Sequence, residues 1–143
     1  MKAVSLVIVM AALALSGCKG NEVSAVIPTA PSLNVAFSTT DLRAGTGATA
    51  TTGRPAQVRY TGWIYSSTAA DNKGTQFDSG TFSFTVGSGV IAGFSQGVQG
   101  MQVGGIRRIV IPPNLGYGNN PPSGSGIRAN ETLLFEVELL AVQ

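Results

Sequence analysis

The chain has 143 residues, a formal net charge of +2, no histidine and one cysteine. That length suits one domain with a hydrophobic core, and the composition excludes Ser-His and Cys-His nucleophile pairs, His-ligated metals and an internal disulfide. Charged residues make up 11%, against roughly 25% in an average soluble protein. The one basic pair, Arg107-Arg108, is too little for a nucleic-acid surface. We therefore expect no nucleic-acid partner, no metal and no cofactor.

The N-terminus has the three parts of a secretory signal peptide. Met1-Lys2 gives a positive start, residues 3–15 are apolar except for Ser5, and small residues follow. This run is shorter than the roughly 20 residues that a membrane-spanning helix needs. The segment ends in Leu-Ser-Gly before Cys18, which resembles the lipobox of bacterial lipoproteins and implies cleavage before Cys18 and acylation of that residue. The alternative is an incidental or buried cysteine in an ordinary signal peptide.

The sequence predicts three parts: residues 1–17 as the signal peptide, 18–33 as a flexible tether, and 34–143 as the folded domain. The tether contains two prolines and small residues without a sustained period. Two or more acyl chains hold a protein stably on a bilayer, so the lipobox predicts a membrane anchor at the bacterial cell envelope. Lys19 after the cysteine implies the periplasmic face of the outer membrane in a Gram-negative cell.

Four segments of the domain are predicted to be strands. They are rich in β-branched and aromatic residues and are bounded by Gly, Pro or Asn: residues 57–65, 81–86, 106–111 and 132–142. In the last segment, alternation places Leu133, Phe135, Val137 and Leu139 on one face and Glu136 and Glu138 on the other. This pattern is typical of a sheet with one covered face.

One helix is predicted to cover that face. It spans residues 90–101, where Ile91, Phe94, Val98 and Met101 recur at helical spacing before Gly104-Gly105 ends the pattern. One short helix packed on one antiparallel sheet predicts the α+β class.

Two further motifs lack the context that their functions need. Residues 87–92 match G-x-G-x-x-A, the dinucleotide-binding fingerprint, which needs a parallel βαβ unit and an acidic residue about 20 positions later. The next acid is Glu131, and no second helix is predicted. Asn130-Glu131-Thr132 fits a glycosylation acceptor, but it lies at a strand start and the lipobox indicates a bacterial cell.

Short aromatic strings carry a family resemblance. They are VRYTGW (58–63), QFDS (76–79), FSF (82–84), VIAGF (90–94), LGYG (115–118), GI (126–127) and LLFEVELL (133–140). In this order and spacing they resemble the FKBP-type peptidyl-prolyl isomerases, macrolide-binding immunophilins, over about residues 37–142. The resemblance implies an antiparallel β half-barrel wrapped around one short α-helix, with an apolar pocket for a proline, and it implies macrolide inhibitors as further ligands.

The resemblance also implies roles for individual residues. Catalytic roles fall to Tyr60, Asp78, Ile91, Tyr117 and Phe135, and substrate-binding roles to Phe77, Phe82, Val90, Phe94 and Ile127. Phe94 is the expected floor, and the Ile91 N–H is the expected donor to a bound carbonyl because the first turn of a helix leaves N–H groups without acceptors. For Asp78 and Tyr117 the alternative is turn capping, and for Phe84, Val98 and Leu133 we prefer ordinary core.

The sequence departs from the family pattern at several points. Phe94 stands where the best-known members have Trp, which makes Trp63 a neighbour of the pocket and not its base. The segment between Asp78 and Phe82, residues 79–81, is shorter than in the family pattern and lacks the Arg that often follows the FDS string. Tyr60 is therefore the expected hydrogen-bond partner of Asp78. Arg128-Ala129 replaces a common Pro-Pro.

The predicted function is acceleration of X-Pro bond rotation in exported or envelope polypeptides, so proline-containing polypeptides are the expected partners. The alternative is a lipoprotein module that binds proline segments or another envelope protein without turnover.

Overall fold

The computed structural model describes residues 35–143. The predicted signal peptide, Cys18 and the tether lie outside these residues. Five antiparallel strands form one sheet in the order β1-β4-β5-β2-β3. They are β1 (Ser38–Arg43), β2 (Pro55–Tyr65), β3 (Lys73–Thr85), β4 (Ile106–Ile111) and β5 (Leu133–Val142), and the described part holds one α-helix, α1 (Ala92–Val98), with two 3-10 turns at Ala70–Asn72 and Pro113–Leu115. The predicted α+β fold is confirmed.

Helix α1 packs closely on the inner face of the sheet. Phe94 and Val98 are buried, and two glycines let the helix approach β4. A Cβ on Gly93 would lie 2.5 Å from Ile111 Cγ2, and one on Gly97 would lie 2.4 Å from Ile109 Cδ1. Any larger residue there would push the helix away from the sheet.

The Arg107 side chain, from β4, binds carbonyl groups at the C-terminal end of α1. Its Nη1 donates to the carbonyls of Gly97 (2.9 Å) and Gln99 (3.2 Å), and its Nε donates to Asp41 Oδ1 (2.6 Å). A cation at a helix C-terminus satisfies carbonyls that lack helical partners and interacts favourably with the helix dipole. One side chain of β4 therefore ties α1 to β1.

Charged side chains gather on the outer face of the sheet. Glu138 pairs with Arg43 (2.8 Å) and Arg59 (3.3 Å), and Glu136 pairs with Lys73 (2.8 Å) and Arg108 (3.0 Å). Alternation in β5 thus places Glu136 and Glu138 opposite the core, as predicted.

Trp63 also lies on the outer face. It is the register partner of Leu134, and Lys73 Nζ lies 4.6 Å from its ring centroid. The Trp63 ring therefore neither forms the base of the inner-face cavity described below nor lines it.

The structure differs from the predicted elements at three places. Strand β3 begins at Lys73 and not at 81, and β1 was not predicted at all. Both are edge strands whose side chains are largely polar and exposed, so they lack the apolar alternation that marks a half-buried strand. The helix is shorter than predicted because the backbone is already extended at Gln99 and left-handed at Gly100 (φ +84°).

Candidate active site

A cavity of about 180 Å³ lies between α1 and the inner face of the sheet. Its lining contains every residue to which the sequence assigned a role except Ile127, and it adds Gly89: Tyr60, Phe77, Asp78, Phe82, Gly89, Val90, Ile91, Phe94, Tyr117 and Phe135. These residues come from β2, β3, β5, α1 and the loops before α1 and after β4. Tertiary packing therefore brings together side chains that are far apart in the chain.

Ile127 is the exception. It is 9% exposed and belongs to the same buried cluster as Phe94 and Phe135, but it is not among the residues that line the cavity. Gly126, just before it, has a left-handed backbone (φ +77°), and the Ile127 N–H donates to Ser125 Oγ (3.3 Å). A substrate-binding role for Ile127 stays a prediction.

Phe94 lies at the centre of an aromatic cluster. It is 3% exposed, and its ring centroid lies 5.3 Å from Phe135, 5.7 Å from Phe84, 5.8 Å from Phe82 and 6.1 Å from Tyr60. Edge-to-face pairs of this kind are more stable than their buried area alone implies. The cavity thus has a rigid, apolar floor and walls.

Gly62 makes room for two of these walls. It is buried on the inner face of β2, where a Cβ would lie 2.7 Å from Phe77 Cζ and 2.8 Å from Phe135 Cε1. Those two rings meet edge to face at 5.5 Å between centroids. The glycine is therefore needed for the packing of the rings. The sequence alone does not show this role.

Tyr60 and Asp78 form a hydrogen-bonded pair at the polar rim. The Tyr60 hydroxyl donates to Asp78 Oδ2 at 2.5 Å, and the Ser79 N–H donates to Asp78 Oδ1 at 2.8 Å. The carboxylate is therefore held by both its oxygens, and Tyr60 takes the place of the missing arginine. Asp78 does accept a local turn-type bond, but it also lines the cavity.

The two tyrosines of the cavity stay protonated over a wide range of pH. Burial, the hydrogen bond to Asp78 and the charges of Asp78 and Tyr117 raise the pKa of Tyr60 to about 12. Burial, followed by the charge of Asp78, raises the pKa of Tyr117. At neutral pH the Tyr60 phenol therefore keeps the proton that it donates to Asp78, and the Tyr117 phenol is available as a donor.

This shift predicts a loss of stability in alkali. The pKa of Tyr60 in the folded protein, about 12, exceeds the value of ~10 in an unfolded chain. The stability that depends on its bound proton is fully present below pH 10 and is lost as the pH rises through about 12. We expect Tyr60→Phe to have a shallower decline in unfolding free energy over this range, measured by urea titration. An identical decline in both proteins would contradict the raised pKa of Tyr60.

The loop before α1 carries the backbone donor of the site. Ile91 is the N-cap residue of α1, one position before the first helical turn in which it was predicted to lie, and its carbonyl accepts the N–H groups of Phe94 (3.1 Å) and Ser95 (3.2 Å). Its own N–H has no acceptor among residues 35–143, and the residue lines the cavity. This N–H is therefore unpaired within residues 35–143, and its role as a donor to substrate stays a prediction.

Ser95 holds this loop, a role that sequence reasoning missed. Ser95 is a polar residue that is buried, at 7% exposure. Its Oγ accepts the Gly87 N–H at 2.6 Å. The loop from Gly87 to Ile91 contains two left-handed glycines, Gly87 and Gly89. A polar residue on the apolar face of a predicted helix was the available signal, because a buried hydroxyl needs a partner.

No helix among residues 35–143 has the length and apolar character to cross a membrane. The same part of the chain has no group of three or more His, Cys, Asp or Glu side chains that could hold a metal ion.

Comparisons with known proteins agree with this fold. Residues 47–140 match the family described as FKBP-type peptidyl-prolyl cis-trans isomerase. The chain is 41% identical to an FK506-binding protein of Neisseria meningitidis serogroup B over 108 residues, 71% of this chain and 92% of that protein. It is 40% identical to an FK506-binding protein of Streptomyces anulatus over 107 residues, 71% of this chain and 82% of that protein. A 41% match to FK506-binding protein 3 of Candida albicans covers 73% of this chain but only 24% of that protein.

Two solved structures are similar. A peptidyl-prolyl cis-trans isomerase of Pseudomonas syringae pv. tomato matches with a TM-score of 0.62 and 32% identity over 75% of each chain. FkpA of Escherichia coli matches with a TM-score of 0.61 and 34% identity over 75% of this chain and 48% of that one. The fold is that of an FKBP-type isomerase domain. The chain belongs to the FKBP-type peptidyl-prolyl cis-trans isomerases, which confirms the family that the aromatic strings indicated.

Proposed function

We propose that this protein accelerates rotation about X-Pro bonds in exported or envelope polypeptides, at the bacterial cell envelope, where a lipid on Cys18 holds it. The observation that carries the enzymatic part is the cavity itself. It has a buried aromatic floor at Phe94, and the free N–H of Ile91 stands at its lining. A proline ring fits an apolar cavity, and a neighbouring carbonyl of the peptide fits the free donor.

The barrier to be lowered is that of amide resonance. Rotation about a peptide bond costs about 18–20 kcal/mol because resonance holds the amide planar, and uncatalysed X-Pro isomerisation takes tens to hundreds of seconds. In the twisted state the amide loses resonance and charge separation, so it depends less on water than the planar ground state does. A dry aromatic cavity therefore favours the twisted state, and each tenfold gain in rate needs only about 1.36 kcal/mol.

Polar groups at the rim position the chain. The Ile91 N–H holds a carbonyl on one side of the rotating bond. The Tyr60 hydroxyl is already committed to Asp78 (2.5 Å), whereas the Tyr117 hydroxyl makes no hydrogen bond within residues 35–143 and can donate to substrate. Holding one side while the other turns lowers the entropic cost of reaching the twisted state.

Macrolide binding is proposed on narrower grounds. The relatives from Neisseria and Streptomyces are named FK506-binding proteins. Here the cavity floor is Phe94, which offers less area than Trp and has no indole N–H. We expect turnover to tolerate this change better than macrolide affinity does, because the cavity stays apolar while a large ligand loses contact area.

The pH dependence of the rate tests the mechanism. General acid–base catalysis requires a group that exchanges a proton near the working pH, whereas desolvation and positioning do not. We expect kcat/KM to be nearly flat from pH 6 to 8, with only a small medium effect in heavy water. Asp78→Asn keeps the shape of the side chain and removes its titration. A bell-shaped profile with a large solvent isotope effect, both lost in Asp78→Asn, would show that Asp78 transfers a proton.

A second candidate is a module that binds proline segments or another envelope protein without turnover. It is favoured by Phe94, which offers less apolar area than Trp, and by Arg128-Ala129 in place of the common Pro-Pro. A protease-free assay on an X-Pro tetrapeptide separates the two. Binding of the peptide without faster isomerisation would establish the module, and acceleration would establish the enzyme.

The lipid anchor has its own test. Cys18 is the only cysteine in the chain and follows Leu-Ser-Gly, so Cys18→Ser is expected to block processing at this site and abolish acyl labelling. Intact mass of the wild-type envelope protein gives the direct measurement, and fractionation of inner and outer membranes tests the outer-membrane placement. A mature species that starts at another residue and carries no lipid would overturn the anchor.

A further inference from the structure

Strand β3 forms one edge of the sheet, and its free side runs beside the cavity. It comes last in the strand order, and Phe77, Asp78 and Phe82 of this strand line the cavity. An edge strand presents unpaired N–H and C=O groups that can pair with another extended chain.

The hydrogen-bond pattern identifies which groups of β3 face outward. The Val86 N–H donates to the Arg54 carbonyl at 3.0 Å, and the strands pair Ala56 with Phe84 and Val58 with Phe82. Backbone groups of an antiparallel strand alternate between the partner and the opposite side. The N–H and C=O of Phe82 and Phe84 therefore face β2, and those of Thr81 and Ser83 face away from it.

The neighbouring edge positions are already occupied. The Ser79 N–H donates to Asp78 Oδ1 (2.8 Å), and the Thr85 carbonyl accepts the Ser88 N–H (3.0 Å). Thr81 and Ser83 thus form a short open stretch of edge on both sides of Phe82. We call these two residues the open edge.

The open edge lacks the usual protection. Exposed edges are commonly blunted by short length, by charge or by proline, yet β3 has 13 residues and no proline. Its two charges are engaged elsewhere: Lys73 pairs with Glu136 at 2.8 Å, and Asp78 accepts the Tyr60 hydroxyl at 2.5 Å.

Charge is also scarce around the cavity. Residues 74–106 contain one charged residue, Asp78, and residues 109–127 contain none, although these two segments supply most of the cavity lining. Salt bridges to client side chains therefore have few partners here. Recognition by backbone hydrogen bonds and apolar contact is what these segments offer.

We propose that the open edge binds the extended backbone of the client next to the proline, so that the client adds a strand to β3 while its proline occupies the cavity. The proposal rests on the proposed function and names its substrate class: long, unfolded, uncharged segments, recognised by main-chain hydrogen bonds with little dependence on side-chain charge. Strand addition of this kind derives affinity from the main chain and specificity from neighbouring pockets, and here the pocket is the proline cavity.

Proline substitution at the open edge tests the proposal. Thr81→Pro removes an outward N–H without removing a bond to β2, and proline is tolerated at such edge positions. We compare kcat/KM on an unfolded protein whose refolding is limited by X-Pro isomerisation with kcat/KM on an X-Pro tetrapeptide, which is too short to add a strand. In Thr81→Pro the ratio of the two is expected to fall about two- to twelvefold, the range that corresponds to one hydrogen bond.

Thr81→Ala is the matched control, because it removes the side chain and keeps the N–H. It is expected to retain the wild-type ratio, and an equal ratio in the proline and alanine variants overturns the proposal. Ser83→Pro provides the same comparison if Thr81→Pro does not fold. If the wild-type protein accelerates isomerisation of neither substrate, the proposed function is overturned. Client binding at the open edge is tested separately, by a binding measurement that needs no turnover.

Hydrogen exchange of the wild-type amides gives this independent measurement. Exchange at Thr81 and Ser83 is expected to slow when an uncharged, proline-containing peptide of about ten residues is added. The size of this slowing is expected to stay the same when the salt concentration is raised. Unchanged exchange in the peptide-bound protein overturns the proposal. Protection that is already present without peptide also overturns it, since a second copy or the chain's own N-terminal segment would then occupy the edge.

Discussion

Phe94→Ala is expected to abolish isomerisation and to lower the free energy of unfolding by about 3–5 kcal/mol, the usual cost of truncating a buried phenylalanine. Phe94 is 3% exposed and contacts four other aromatic rings, so its removal leaves a cavity in the core and takes away the floor on which a proline would rest. Urea denaturation and the tetrapeptide assay measure the two effects.

Val98→Ala is the matched control for this variant. Val98 lies on the same helix, is fully buried at 0% exposure, and does not line the cavity. It is expected to lose stability but to keep its activity at temperatures where the protein is folded. Full activity in Phe94→Ala would show that the proline binds elsewhere, and an equal loss of activity in Val98→Ala would show that only stability was being measured.

Gly62→Ala is expected to lower kcat/KM strongly. The new methyl group would lie 2.7 Å from Phe77 Cζ and 2.8 Å from Phe135 Cε1, so at least one of these two cavity walls must move. Overpacking of this kind costs about 1–3 kcal/mol of stability, and a displacement of about 1 Å at a catalytic site can cost about a hundredfold in rate. The tetrapeptide assay and urea denaturation give both values.

Gly80→Ala is the comparison, because it makes the same change on the neighbouring strand in a roomier place. Its Cβ would come no closer than 3.6 Å, to Tyr60 Cε1, an ordinary contact. We expect it to retain far more activity than Gly62→Ala. Equal activity in the two variants would show that the Phe77 and Phe135 rings can shift without consequence.

Local sequence patterns determined much of this protein. The strand at 106–111 was predicted with the same bounds that the structure has for β4, because its β-branched residues are bounded by Gly104-Gly105 and Pro112-Pro113. The face of β5 that carries Leu133, Phe135, Val137 and Leu139 was predicted from alternation, and all four are buried. The aromatic strings indicated the family, and with it nearly all of the cavity lining.

Tertiary structure decided what local patterns do not encode. Edge strand β1 and the first part of β3, residues 73–80, are mostly polar and exposed, so they carry little periodic signal. The need for glycine at Gly62 arises only because two rings from other strands, those of Phe77 and Phe135, meet above it. The pKa of Tyr60 and the open edge at Thr81 and Ser83 likewise depend on which groups lie nearby in space. Sequence thus determined the elements with a buried face, and the fold decided the contacts between them, because those contacts join residues far apart in the chain.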